Sequence, residues 1–182
     1  MLKLRAIRKS LYDFVASLFE TPPADTGWSD FNVYGEDELR QGDDFTPAPP
    51  YVYIVDSFIA PTQTQVPLIV IEMSLMSDTY QLGDTGGRFG VGRLHVFGRN
   101  RGERDDMASM LQDVFAGSMA TQDGTVPFPI YNYHSSGSST LVETAHINEG
   151  VDITPIRVGE DETFESSTLN WNQVSFSFRT KQ

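Results

Sequence analysis

Between Val66 and Phe115 the chain carries a pattern that leaves few folds open. An apolar run, Val66 to Leu75, precedes a polar, glycine-rich stretch, Met76 to Arg88. A second run of period two follows, Phe89 to Gly98, then a charged turn, Arg99 to Asp106, and a helical stripe, Met107 to Phe115. Two consecutive strands pair most simply as an antiparallel hairpin. In the first, Leu68, Val70 and Glu72 face away from Ile69, Ile71 and Met73. In the second, Leu94 and Val96 face away from Val91, Arg93, His95 and Phe97. Met107, Met110, Leu111, Val114 and Phe115 form the stripe that a helix would bury against this sheet. Asp105 or Asp106 suits its N-cap, and Gly117 a left-handed turn after its end. The connection of about 13 residues far exceeds a tight turn and is expected to project.

The flanking segments extend this plan. Leu4, Ile7, Leu11, Phe14, Val15 and Leu18 line one face of a helix over residues 3–19, which Pro22 and Pro23 stop. Residues 24–50 are acidic and rich in Gly and Pro, without a sustained period. They read as an extended arm whose aromatics, Trp28, Phe31, Tyr34 and Phe45, anchor on a neighbouring surface. Tyr51 to Ser57 is apolar on both faces, as a central strand would be. Pro127 and Pro129 exclude a central strand over residues 126–134, and Ser135 to Thr140 reads as a loop. Val151 to Val158 reads as an edge strand with a bulge at Pro155. In the closing strand, Trp171 to Thr180, Val174, Phe176 and Phe178 alternate with Ser175, Ser177 and Arg179. The expectation is one α+β domain over residues 1–182, with a mostly antiparallel sheet. An N-terminal helix and a second helix pack on one face. Residues 20–50 are the acidic arm, and 76–88 and 117–147 are loops within the 51–182 core.

Composition narrows the chemistry. The chain has no cysteine, which removes disulfides, thiol catalysis and cysteine-ligated metal. No run approaches the roughly 20 apolar residues of a membrane helix, and Asp13 interrupts the apolar stretch behind the basic N-terminus, so neither a membrane span nor a secretory signal is expected. A net charge of −12 disfavours general nucleic-acid binding, because an acidic surface repels phosphate.

The motifs that could carry chemistry lack their contexts. Asp84-Thr85-Gly86 matches the loop motif of aspartic proteases, but glycine and polar residues surround it where apolar strands are needed. The glycines at 83, 86, 87, 90 and 92 precede no helix and no Lys-Ser or Lys-Thr, so they are no phosphate cradle. Gly90 and Gly92 instead allow a close approach or a bend within a strand. His95, His134 and His146 have no ligand-like spacing. No catalytic residue, metal or cofactor is expected. Arg99, Arg101 and Arg104 are the best candidates for a contact with phosphate or an acidic partner, although Glu103, Asp105 and Asp106 are at hand to pair with them.

The order of elements resembles the tail terminator, or tail completion, proteins of tailed bacteriophages. The similarity lies in the N-terminal helix, the acidic Pro-rich stretch, the strands around a projecting loop, the helix after Arg101-Gly-Glu-Arg-Asp-Asp106, and the terminal strand Trp171-Asn-Gln-Val-Ser-Phe-Ser-Phe-Arg179. In such a protein, Leu94-His-Val-Phe97 is a core strand, Met107 to Phe115 the helix packed on the sheet, and the last strand pairs back into it. The resemblance implies a homo-oligomeric, hexameric ring in the virion that closes the tail tube and joins it to neck and connector proteins. DNA would pass through it without specific binding, after assembly in the host cytoplasm. Subunit or partner contacts are then expected from Trp28, Phe31 and Tyr34 on the arm, Tyr80, Leu82 and Arg88 on or beside the loop, and Arg99 and Arg101. The closest alternative in the same class is another connector or minor tail protein; readings of other classes are a small hydrolase using Asp84 or the histidines, and a nucleic-acid-binding adaptor using the Arg88–Arg104 face.

Overall fold

The computed structural model describes residues 4–22, 24, 27–56, 65–76, 88–118, 126–133, 138–147, 151–157 and 170–180. It is an α+β fold built on one eight-stranded sheet. The elements run α1 (Leu4–Glu20), β1 (Asn32–Tyr34), α2 (Glu36–Arg40), β2 (Tyr51–Val55), β3 (Leu68–Met76), β4 (Arg88–Phe97), α3 (Arg101–Asp113), β5 (Val126–Tyr133), β6 (Ser139–Ile147), β7 (Asp152–Arg157) and β8 (Asn170–Thr180). The strand order is β1-β2-β3-β4-β8-β6-β5, with β7 paired to β8 beside β6.

The expected hairpin is present. β3 and β4 pair antiparallel from Leu68 opposite Phe97 to Met76 opposite Phe89, and β8 pairs antiparallel along the other side of β4. β2 lies between β1 and β3, with both of its faces buried. These two pairings are parallel. Between β1 and β2 the reason is visible, because α2 carries the chain back to the end from which β1 began.

One face of the sheet lies under both long helices. Ile7, Leu11, Val15 and Phe19 of α1 and Met107, Leu111 and Phe115 of α3 meet Ile69, Ile71, Leu94, Val96, Val174, Phe176 and Phe178. Phe14 sits at the junction, 6.0 Å from the ring of Phe115 and 5.8 Å from that of Phe128. Beneath them, the Phe176 and Phe178 rings lie over Gly92 and Gly90, their register partners on β4. A Cβ at either glycine would come within 2.3 Å of the ring tip. The two glycines therefore serve close packing.

Several expectations are corrected. Residues 24–50 are not an extended arm, since they contain β1 and α2. Leu39 of α2 is buried. The second helix begins earlier than Met107, at Arg101. Its N-cap is Asn100, whose Oδ1 accepts from the Glu103 amide at 2.9 Å. The stripe spoke only for the buried turns, whereas the first turn is charged and only partly buried. Gly117 lies inside a π turn, Val114–Ser118, rather than beyond the helix end. The span 117–147 is not a loop throughout, because β5 and β6 form an antiparallel hairpin. β5 takes the sheet edge, where its prolines cost no ladder bonds. Val126, Phe128 and Ile130 point into the core. On β6 only Ala145 and Ile147 are buried, so the strand carries a weak apolar signal. The bulge falls between Ile130 and Tyr131, while the β7–β8 register runs through Pro155 unbroken.

Candidate functional site

The residues expected to meet a neighbour are placed unevenly. Trp28 and Phe31 pack on this chain's own α1, edge-on to Phe19 at 6.5 and 5.7 Å. Tyr34 packs against Phe45 at 4.9 Å and Tyr53 at 5.9 Å, and its hydroxyl accepts from the Ala48 amide. All three stay partly exposed. Arg88 opens β4 opposite Thr180. Tyr80, Leu82 and the Asp84-Thr85-Gly86 motif lie outside the described residues, as do His134, Ser135 and Ser136.

Arg99 and Arg101 flank the cap of α3. The Arg99 guanidinium lies over the Tyr51 ring at 4.7 Å and 3.9 Å from Glu103. Arg101, four-fifths exposed, reaches Asp105 at 3.5 Å. Arg104 is tucked in and donates to Asp105 from Nε at 3.1 Å and from Nη2 at 3.0 Å. Asn172, buried on β8, adds a bond to the same carboxylate oxygen at 2.8 Å. Burial alone would raise the Asp105 carboxyl, but the bonds from Asn172 and Arg104 outweigh it and hold the group below its ordinary range. Asp105 is thus the tie between α3 and β8 rather than a helix cap.

A second polar cluster joins α1 to β5. Ser10, buried, accepts from the Tyr131 amide at 2.9 Å. Tyr133 donates to Asp13 at 2.5 Å, and Lys9 sits 4.9 Å from the Tyr133 ring centre and 3.4 Å from Asp13. Burial, then the bond to Asp13, pushes the Tyr133 phenol up to about 12. It remains a donor at neutral pH.

The third cluster lies on the sheet face opposite α1 and α3. There Phe97, Val70, Leu68, Tyr53 and Leu39 form a smaller apolar layer with Tyr51 and Trp171 at its margin. His95 is buried among them. Its Nε2 is 3.1 Å from Glu72 Oε2, and its Nδ1 accepts from the Trp171 indole at 3.0 Å. Arg93 lies 3.4 Å from the other oxygen of Glu72. The sequence placed Glu72 on one strand face with Leu68 and Val70, and His95 on one with Arg93 and Phe97. The polar break at Glu72 in an apolar run is the signal that could have marked the pair; Trp171 was joined to them only by folding.

An open cleft of about 370 Å³ runs between α1, α2 and the end of β2. Arg5 and Lys9 line one side, and Glu36, Asp37, Glu38 and Asp56 the other. Among the described residues no group of three or more His, Asp or Glu is placed to hold a metal ion. No helix among them is long and apolar enough to cross a membrane. Leu141 and Val142, in the outer half of β6, are 60% and 53% exposed.

No protein-family model matches this sequence, and no curated protein matches it either.

Proposed function

We propose that this chain is a structural protein of a tailed-phage virion, a homo-oligomeric ring, hexameric in the resembled family, that closes the tail tube and joins it to neck or connector proteins. The observation that carries this reading is the arrangement of β3, β4, β8 and α3. Leu94 and Val96 of β4 lie beneath Met107, Leu111 and Phe115 of α3, and the last strand returns to pair with β4. That is the arrangement the resemblance implies. The polar clusters add support, since Asp105, Asp13 and His95 each tie two elements together. In this reading the contacts to neighbours come from Arg101, from the exposed Leu141 and Val142, and from the 77–87 segment that carries Tyr80 and Leu82. DNA passes through the ring without specific binding, and the protein resides in the virion.

Light scattering after size exclusion, with imaging of the particles, tests the proposal. Rings that bind isolated tail tubes are the expected result. A strict monomer at every concentration that also fails to bind tubes would sink it. Rings that bind only heads would move the assignment to another connector protein.

A further inference from the structure

Hydrogen bonding fixes which nitrogen of His95 carries the proton. The Trp171 indole can only donate, so Nδ1, 3.0 Å away, must present a lone pair. The proton of the neutral ring then sits on Nε2 and is donated to Glu72 at 3.1 Å. A second proton would fill Nδ1 and set one N–H against another. The imidazolium and the Trp171 bond therefore exclude each other, while the charged ring gains a stronger contact with the Glu72 carboxylate. We propose that His95 is a proton-operated latch on Trp171. The neutral ring holds the indole, and the imidazolium, kept in place by Glu72, releases it.

The surroundings favour motion of Trp171 over loss of the fold. Glu72 on β3 faces the buried ring at 3.1 Å, and Arg93 on β4 lies 3.4 Å from the other oxygen of the same carboxylate. From β8, the register partner Gln173 donates to Ser175 and brings no charge. From β2, Tyr51 and Tyr53 belong to the same apolar layer, with Arg99 stacked over the Tyr51 ring. Histidine is the side chain that ordinarily titrates under mild acid. Trp171 stands at the margin of its layer, stacked on Phe97 at 5.4 Å and opposite Ile156 of β7. Neither His95 nor Trp171 belongs to the layer under α1 and α3. Release is thus expected to loosen the β7–β8 seam and leave the helix-covered core intact.

The chain has two tryptophans, so the Trp28 indole serves as an internal reference in nuclear magnetic resonance spectra. On lowering the pH from about 8 to about 5, across the ordinary range of histidine, the Trp171 indole proton should shift with the same midpoint as the His95 ring. Its solvent exchange relative to Trp28 should rise roughly tenfold, the scale of one lost hydrogen bond. In His95→Gln, which offers an oxygen acceptor that does not titrate, the Trp171 signal should stay constant. Glu72→Gln should move the wild-type midpoint to lower pH. The latch is overturned if the Trp171 signal stays fixed in the wild type, or if it moves equally in His95→Gln. Should that variant fail to fold, the nitrogen signals of the wild-type ring decide. A neutral ring protonated on Nδ1, or midpoints that differ between ring and indole, rejects the proposal.

Discussion

On one face of the sheet, β2, β3, β4, β8, β5 and β6 send alternate apolar side chains under α1 and α3, and nearly every one is buried. On the other, a smaller layer around Phe97, Val70 and Tyr53 gives way to polar side chains, among them Glu72, Arg93, Gln173 and Ser175. The first face is held by burial and by fit, down to two glycines shaped to two phenylalanine rings. The second is held by a few directed bonds at its margin, around His95 and Trp171. The difference teaches where each kind of change should be felt. Volume matters on the helix-covered face, and hydrogen-bonding capacity on the open one.

The most severe test of that contrast is Phe176→Ala, expected to cost about 3–5 kcal/mol in a denaturant titration, as deletion of a buried aromatic ring does. Gly92→Ala should cost about 1–3 kcal/mol by overpacking the same ring. The two are expected to be non-additive, because removing the ring makes room for the methyl group. Simple additivity would mean that the glycine is not there for the ring.

Next comes Trp171→Phe, which keeps a ring against Phe97 but removes the donor to His95. A loss of about 0.5–1.5 kcal/mol is expected, the worth of one hydrogen bond. A loss as large as that of Phe176→Ala would erase the distinction between the faces.

Asp105 ties α3 to β8, and its effect shows in pH dependence. Its carboxyl lies below the ordinary 3.8 in the fold, so the stabilisation is present above that pH and is lost as pH falls through the folded value. Asp105→Asn is expected to flatten the acid limb of the stability profile in that window and to leave the neutral-to-alkaline limb unchanged. The smallest effect belongs to Arg101→Ala, within about 0.5 kcal/mol in the isolated chain, since an exposed ion pair contributes little. If the ring exists and Arg101 contacts a neighbour, the same substitution should weaken assembly while thermal stability stays unchanged.

The legible parts of the fold were those with strong period. The β3–β4 hairpin, its facing residues, α1, β8 and the buried stripe of α3 all follow from side-chain spacing. β1, α2 and β6 were hidden because they are short or half exposed, and their stability comes from neighbours rather than from their own pattern. Among the expected contact residues, Trp28, Phe31 and Tyr34 packed at least in part on their own domain. An aromatic residue in an irregular stretch says that something apolar is near, and not whose surface it is.

By itself the sequence determined which residues are apolar and at what period, and hence that a hairpin and two amphipathic helices share one sheet. It also determined the absence of cysteine chemistry and the strongly acidic balance. Only the tertiary structure decided which strands are neighbours, that Phe176 and Phe178 fill the space above Gly92 and Gly90, and that Asp105 meets Asn172. It alone joined His95 to Trp171, residues 76 positions apart in the chain. Periodicity is a local property that a side chain carries with it, whereas a hydrogen bond between distant strands exists only once strand order and register have been set.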